Sequence, residues 1–110
     1  MNVSMEDPKT ATIRKYNDTF RTTFLAPFGK IAMTDGVQAL SDKDREEVIT
    51  KVREFKDFEA GDDPYAEHDF GVVEVEGVRF FWKIDYYDKD YKFFETDGCR
   101  VLTIMLASDY

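Results

Sequence analysis

The sequence is poor in the residue types that most often announce a chemistry. Its 110 residues include one cysteine, Cys99, and one histidine, His68. A single cysteine excludes an intramolecular disulfide and a multi-cysteine zinc site, and it fits a reducing compartment. The only serines are Ser4, Ser41 and Ser108, none of them in a nucleophile-elbow setting. There is no Walker-type or dinucleotide-type glycine loop. No apolar run approaches the roughly 18 residues a membrane span needs, and the polar opening MNVSMEDPKTATIRKYND lacks a signal-peptide core. These absences predict a cytoplasmic protein that neither crosses nor coats a membrane and carries no cofactor.

Positive charge is also scarce, and unevenly so. The net charge is −8. Residues 1–56 carry ten Lys/Arg against nine Asp/Glu, whereas residues 57–97 carry thirteen Asp/Glu against four Lys/Arg. A field of that sign repels nucleic acid and anionic lipid and attracts basic partners. Direct nucleic-acid binding is therefore not expected.

What is present is enough for one domain, with 43% hydrophobic and 15% aromatic residues. Residues 1–6 read as a loose start. Asp7-Pro8 reads as a helix entry. Ile13, Tyr16, Phe20 and Phe24 then recur at helical spacing, with Arg14, Lys15, Asp18 and Arg21 expected to face water. Pro27 and Gly29 close that helix, residues 30–34 form a short candidate strand, and Asp35-Gly36 is a turn signal.

Ser41 with Asp44 resembles a capping box ahead of a second helix whose buried stripe is Val48, Val52 and Phe55. From Phe70 the period becomes two. Val73 and Val75 lead to a turn at Gly77. Phe80, Trp82, Ile84 and Tyr86 then form one face of a long strand, and Leu102, Ile104 and Leu106 one face of a last strand. The pattern predicts an α+β domain with two helices on one face of a three- to four-stranded antiparallel sheet, the fourth strand being an edge strand between the helices.

The stretch from Asp62 to Asp88 concentrates the candidate chemistry. His68 stands among Asp62, Asp63, Glu67 and Asp69. One histidine is too few nitrogen ligands for an ordinary zinc or iron centre, and the acidic spacing is not that of a calcium-binding loop, so no metal is expected. A structural role for His68, hydrogen-bonded in the turn that launches the sheet, is weighed against service as a general base in a small hydrolytic or metal-dependent enzyme. The acidic residues Asp62, Asp63, Glu67, Asp69, Asp85, Asp88 and Asp90, with Tyr87 and Tyr91 as aromatic anchors, form a candidate partner-binding set. Such carboxylates suit a basic protein surface, because Lys/Arg clusters that hold phosphates also accept carboxylates. Self-association through the last strand, using Val101, Thr103 and Met105, is a third possibility.

The segments DPYAEHDFG, FWKIDYYD and RVLTIMLA, with YNDTFRTTF and DGVQAL upstream, resemble a small uncharacterised domain family found largely in proteobacteria, often on plasmids and other mobile elements. The resemblance runs from about Ile13 onward and brings no established activity, so it transfers no catalytic residue. What it implies is a genomic setting. Small acidic proteins of mobile elements include anti-restriction and anti-CRISPR inhibitors, which bind and block nucleic-acid-handling defence complexes.

Overall fold

The computed structural model describes residues 8–24, 29–59, 61, 63–64, 66–87 and 99–110. Helix α1 spans Pro8–Thr23, beginning at the proline as its N1 preference dictates. It ends where Phe24 turns left-handed (φ 54°) and its N–H returns to the Phe20 carbonyl. The buried stripe differs from the expected one. Tyr16 is 39% exposed, while Asn17 and Arg21 are buried beside Ile13 and Phe20. Arg21 does not face water, because its guanidinium is drawn inward to carbonyls at the end of another helix.

Strand β1, Gly29–Met33, runs directly into a short helix α2, Asp35–Gln38, where the sequence signals only a turn. The Thr34 carbonyl accepts from Val37 and Gln38, and Val37 is fully buried, so the turn is extended to bury an apolar side chain. Helix α3, Asp42–Glu54, starts at Ser41, whose Oγ accepts the Asp44 N–H at 3.1 Å. Val48 and Val52 are its buried residues, with Phe55 as the C-cap. An extended connection follows to β2 (Phe70–Val75), β3 (Val78–Tyr87) and β4 (Cys99–Leu106), and a short 3-10 helix covers Ala107–Asp109.

The four strands form one sheet in the order β1-β4-β3-β2. β2, β3 and β4 are antiparallel neighbours as expected, but β1 lies parallel to β4, with Ile31 beside Leu102. The sheet is therefore mixed, and the expectation of an all-antiparallel sheet is corrected. β1 reaches β4 closely because Gly29 has no side chain. A Cβ there would fall 1.8 Å from the Arg100 carbonyl oxygen. The last strand is also not an exposed edge. β4 is paired on both sides, which removes it as a route for edge-to-edge association. Its apolar residues on both faces, Leu102 and Ile104 on one and Met105 on the other, are those of an interior strand.

Phe80, Trp82, Ile84, Tyr86, Leu102 and Ile104 face the helices and join Ile13, Phe20, Val48 and Val52 in a single core. Trp82 is fully buried and packs edge-on against Phe55 and Phe58 at 5.5 and 6.1 Å between ring centres. Among the described residues, no helix is long and apolar enough to cross a membrane.

Candidate functional site

The connection between α3 and β2 carries most of the acidic candidates and is fastened along α1. Arg14 donates to the Ala66 carbonyl at 3.1 Å and Asn17 to the Glu67 carbonyl at 2.9 Å. Asp63 folds into the interior, 7% exposed, where its Oδ1 accepts the backbone N–H groups of both Glu67 and His68. Those two bonds hold a tight bend in which Ala66 and His68 both take left-handed backbone angles (φ 56°). Non-glycine residues pay for that conformation, and the surrounding bonds repay it.

His68 sits at the centre of this arrangement. Its Nδ1 lies 2.9 and 3.0 Å from the two carboxylate oxygens of Asp18, and its Nε2 faces Asp63 at 3.7 Å. The ring stacks on Phe58 at 3.6 Å and is nearly parallel to it, with an interplanar angle of 2°. Both ring nitrogens thus face carboxylates, and the ring joins α1 to the bend. An open cleft of about 730 Å3 runs beside it, lined in part by Arg21, Arg53, Phe55 and Phe58. Its guanidinium groups are committed elsewhere. Arg21 donates to the Val52 and Arg53 carbonyls, and Arg53 to the Thr22 carbonyl, so they close the C-terminal ends of α3 and α1. Burial holds the Arg21 pKa below its ordinary value, against the opposing pull of Asp18.

Glu67 and Asp69 are brought together at the mouth of β2. Burial raises the Glu67 carboxyl, and the neighbouring charges of Asp69 and Asp63 raise it further. Burial likewise raises Asp69, although the Tyr86 hydroxyl, donating to it at 3.2 Å, works in the other direction. Behind them lies a polar hub that sequence reasoning missed. Asn17 Nδ2 donates to the Tyr86 hydroxyl at 2.8 Å, and Asn17 Oδ1 accepts from Arg100 Nε at 2.9 Å. The Arg100 guanidinium lies over the rings of Tyr16 and Tyr86. Burial raises the Tyr86 hydroxyl pKa and the charge of Asp69 raises it further, while the hydrogen bond from Asn17 opposes them. One sequence signal existed for Asn17, a polar residue four positions after Ile13 and three before Phe20. Asp18 gave none.

Asp85 and Tyr87 lie elsewhere, on the face of the sheet away from the helices. Asp85 pairs with Lys83 at 2.8 Å, which raises the Lys83 pKa. On the same face Phe70, Phe81 and Tyr110 form a cluster of edge-on rings with centres 5.2 to 6.0 Å apart. A shallow depression beside them is lined by Asp69, Lys83, Asp85 and Tyr110. Asp62, Asp88, Asp90 and Tyr91 lie outside the described residues. Among the described residues, no group of three or more His, Cys, Asp or Glu side chains is arranged to hold a metal ion.

No curated protein and no solved structure matches this chain. A family match does exist over residues 33–109, covering everything from the end of β1 through the 3-10 helix. It begins later than the resemblance read from Ile13 and leaves out α1. The shared unit therefore includes the acidic bend and the whole antiparallel part of the sheet, and this chain belongs to the DUF3768 family, proteins of unknown function.

Proposed function

We propose that the protein is a non-catalytic binding protein that engages a basic surface on another protein through the outer face of its sheet. The observation that carries this reading is the Phe70–Phe81–Tyr110 cluster, which no α-helix among the described residues covers and which adjoins Asp69, Lys83 and Asp85. An antiparallel sheet tolerates one wet face, but that face is ordinarily polar. Here aromatic side chains that can anchor a contact stand next to Asp85 and its ion-pair partner Lys83, in a chain of net charge −8. Surfaces that bind phosphate through Lys and Arg have chemistry complementary to a chain of net charge −8, so the partner class is a nucleic-acid-handling protein, whose basic channel this protein would occlude.

The geometry at His68 favours a structural role over catalysis. Its nitrogens are turned to Asp18 and Asp63 and its ring is stacked on Phe58, so it clamps the bend instead of presenting a free base to the cleft.

The test uses immobilised protein and its Asp85→Arg variant, offered the proteins of its own host at low and high salt. Capture of a nucleic-acid-binding protein at low salt, lost at high salt and lost with Asp85→Arg, is the expected result. Equal capture by the variant and the wild type would overturn the reading.

A further inference from the structure

The edge of the sheet carries a second observation, independent of the aromatic face. Among the described residues β2 is a terminal strand, paired only to β3. In an antiparallel pair, alternate residues turn their backbone groups toward the partner strand and away from it. The Ile84 N–H bonds the Asp69 carbonyl at 2.8 Å, which fixes the phase. Asp69, Gly71, Val73 and Val75 therefore face β3, whereas Phe70, Val72 and Glu74 turn their N–H and C=O groups outward. One of these outward groups already has a partner, since Lys51 Nζ on α3 donates to the Glu74 carbonyl at 2.6 Å. The others make no hydrogen bond to any described residue. β2 has neither the proline nor the lysine that usually guards such an edge. A groove runs along it between the strand and α3, with Phe55 and Lys51 on the helix side and Val72 and Glu74 on the strand side.

We infer that β2 is an acceptor for an extended segment of the partner, which adds as a fifth strand along Phe70–Glu74. A row of outward donors and acceptors at a two-residue period is matched by another peptide backbone in β conformation. The side chains of the added strand alternate. One set enters the groove, where Phe55 and Val73 offer apolar contact beside the charged Lys51, Glu54, Lys56 and Asp57. The other set lies on the outer face beside Phe70, Val72 and the exposed Glu74, where an arginine or lysine is the favoured neighbour of Glu74. This deepens the proposed function by naming how the basic partner docks, and it rests on that reading for the partner's charge.

Amide hydrogen exchange tests it with a defined probe, a short synthetic peptide alternating valine with arginine, and with its valine–glutamate counterpart. In the free protein the Phe70, Val72 and Glu74 amides exchange rapidly while Gly71 and Val73 are protected. The arginine peptide is expected to slow the three edge amides by ~10-fold or more, and the glutamate peptide is not. Val72→Pro removes one outward N–H without touching the ladder to β3, and it abolishes the effect, whereas Val72→Thr retains it.

Edge amides that stay fast with the arginine peptide, or protection that survives Val72→Pro, would overturn strand addition. Protection that appears without peptide and grows with protein concentration would make a second copy the occupant and overturn it as well. The two readings fail separately. Peptide protection together with partner capture indifferent to Asp85→Arg removes the outer-face reading. Capture that needs Asp85 but tolerates Val72→Pro removes strand addition.

Discussion

At the scale of single residues, the molecule depends on polar side chains that serve its interior. Asn17 satisfies Tyr86, Arg100 and the Glu67 carbonyl from a fully buried position on α1. Asn17→Ala removes three buried hydrogen bonds at once and is expected to cost roughly 3 kcal/mol, read as a lower urea midpoint. Glu67 makes the opposite prediction. Its carboxyl is raised in the folded state, so the native protein binds a proton more readily than the unfolded chain. The contribution of this group to stability therefore falls as pH rises through the raised value and is restored on acidification. Glu67→Gln should raise the urea midpoint at neutral pH, with the gain fading toward about pH 4, where the unfolded carboxyl also protonates. The roles of these residues were mostly hidden in the sequence. The cluster around His68 was visible as composition, but its partner Asp18 lies 50 positions away, and nothing local marks that contact.

Elements were more legible where their cause is local. The Ser41 cap, the apolar stripe of α3 and the alternation of β3 all depend on neighbours within a few residues, and each appears where the sequence places it. The turn between β2 and β3 belongs to this class, with Glu76 and Gly77 both left-handed at φ 53° and 77°. That pair of angles defines a turn in which asparagine–glycine is preferred. Glu76→Asn is accordingly expected to stabilise the hairpin by about 0.5 kcal/mol, seen as a higher melting temperature. β1 was legible as a strand but not in its direction. Pairing with β4 depends on Gly29 meeting Arg100 across most of the chain, and periodicity holds no record of that. The inward turn of Arg21 has the same origin, because the carbonyls it serves belong to α3.

For the molecule as a whole, charge asymmetry is a poor guide to surface until the fold assigns each carboxylate a place. Asp63 and Asp69 hold the bend and the Tyr86 hydroxyl, whereas Asp85 stands on the outer face. The acidic half of the sequence thus divides into carboxylates that build the fold and a carboxylate on the outer face paired with Lys83. That division makes Asp85→Arg, on the open face, the informative charge reversal, since reversal at Asp63 would unmake the bend first. The family match over residues 33–109 spans both groups.

The parallel seating of β1 against β4 also has a kinetic consequence. β4, one of the two interior strands, comes last of the four in sequence, while its two neighbours, β1 and β3, are made earlier. Until residues 99–106 emerge from the ribosome, both of those strands lack the partner that unites them. The β2–β3 hairpin can pair on its own, yet its core face has no fourth strand to complete it. Contacts this distant in sequence slow folding, because the connecting loop must be closed before they contribute. The nascent protein therefore waits for its final strand with apolar edges exposed, and collapse into the mixed sheet is expected as a late, concerted event.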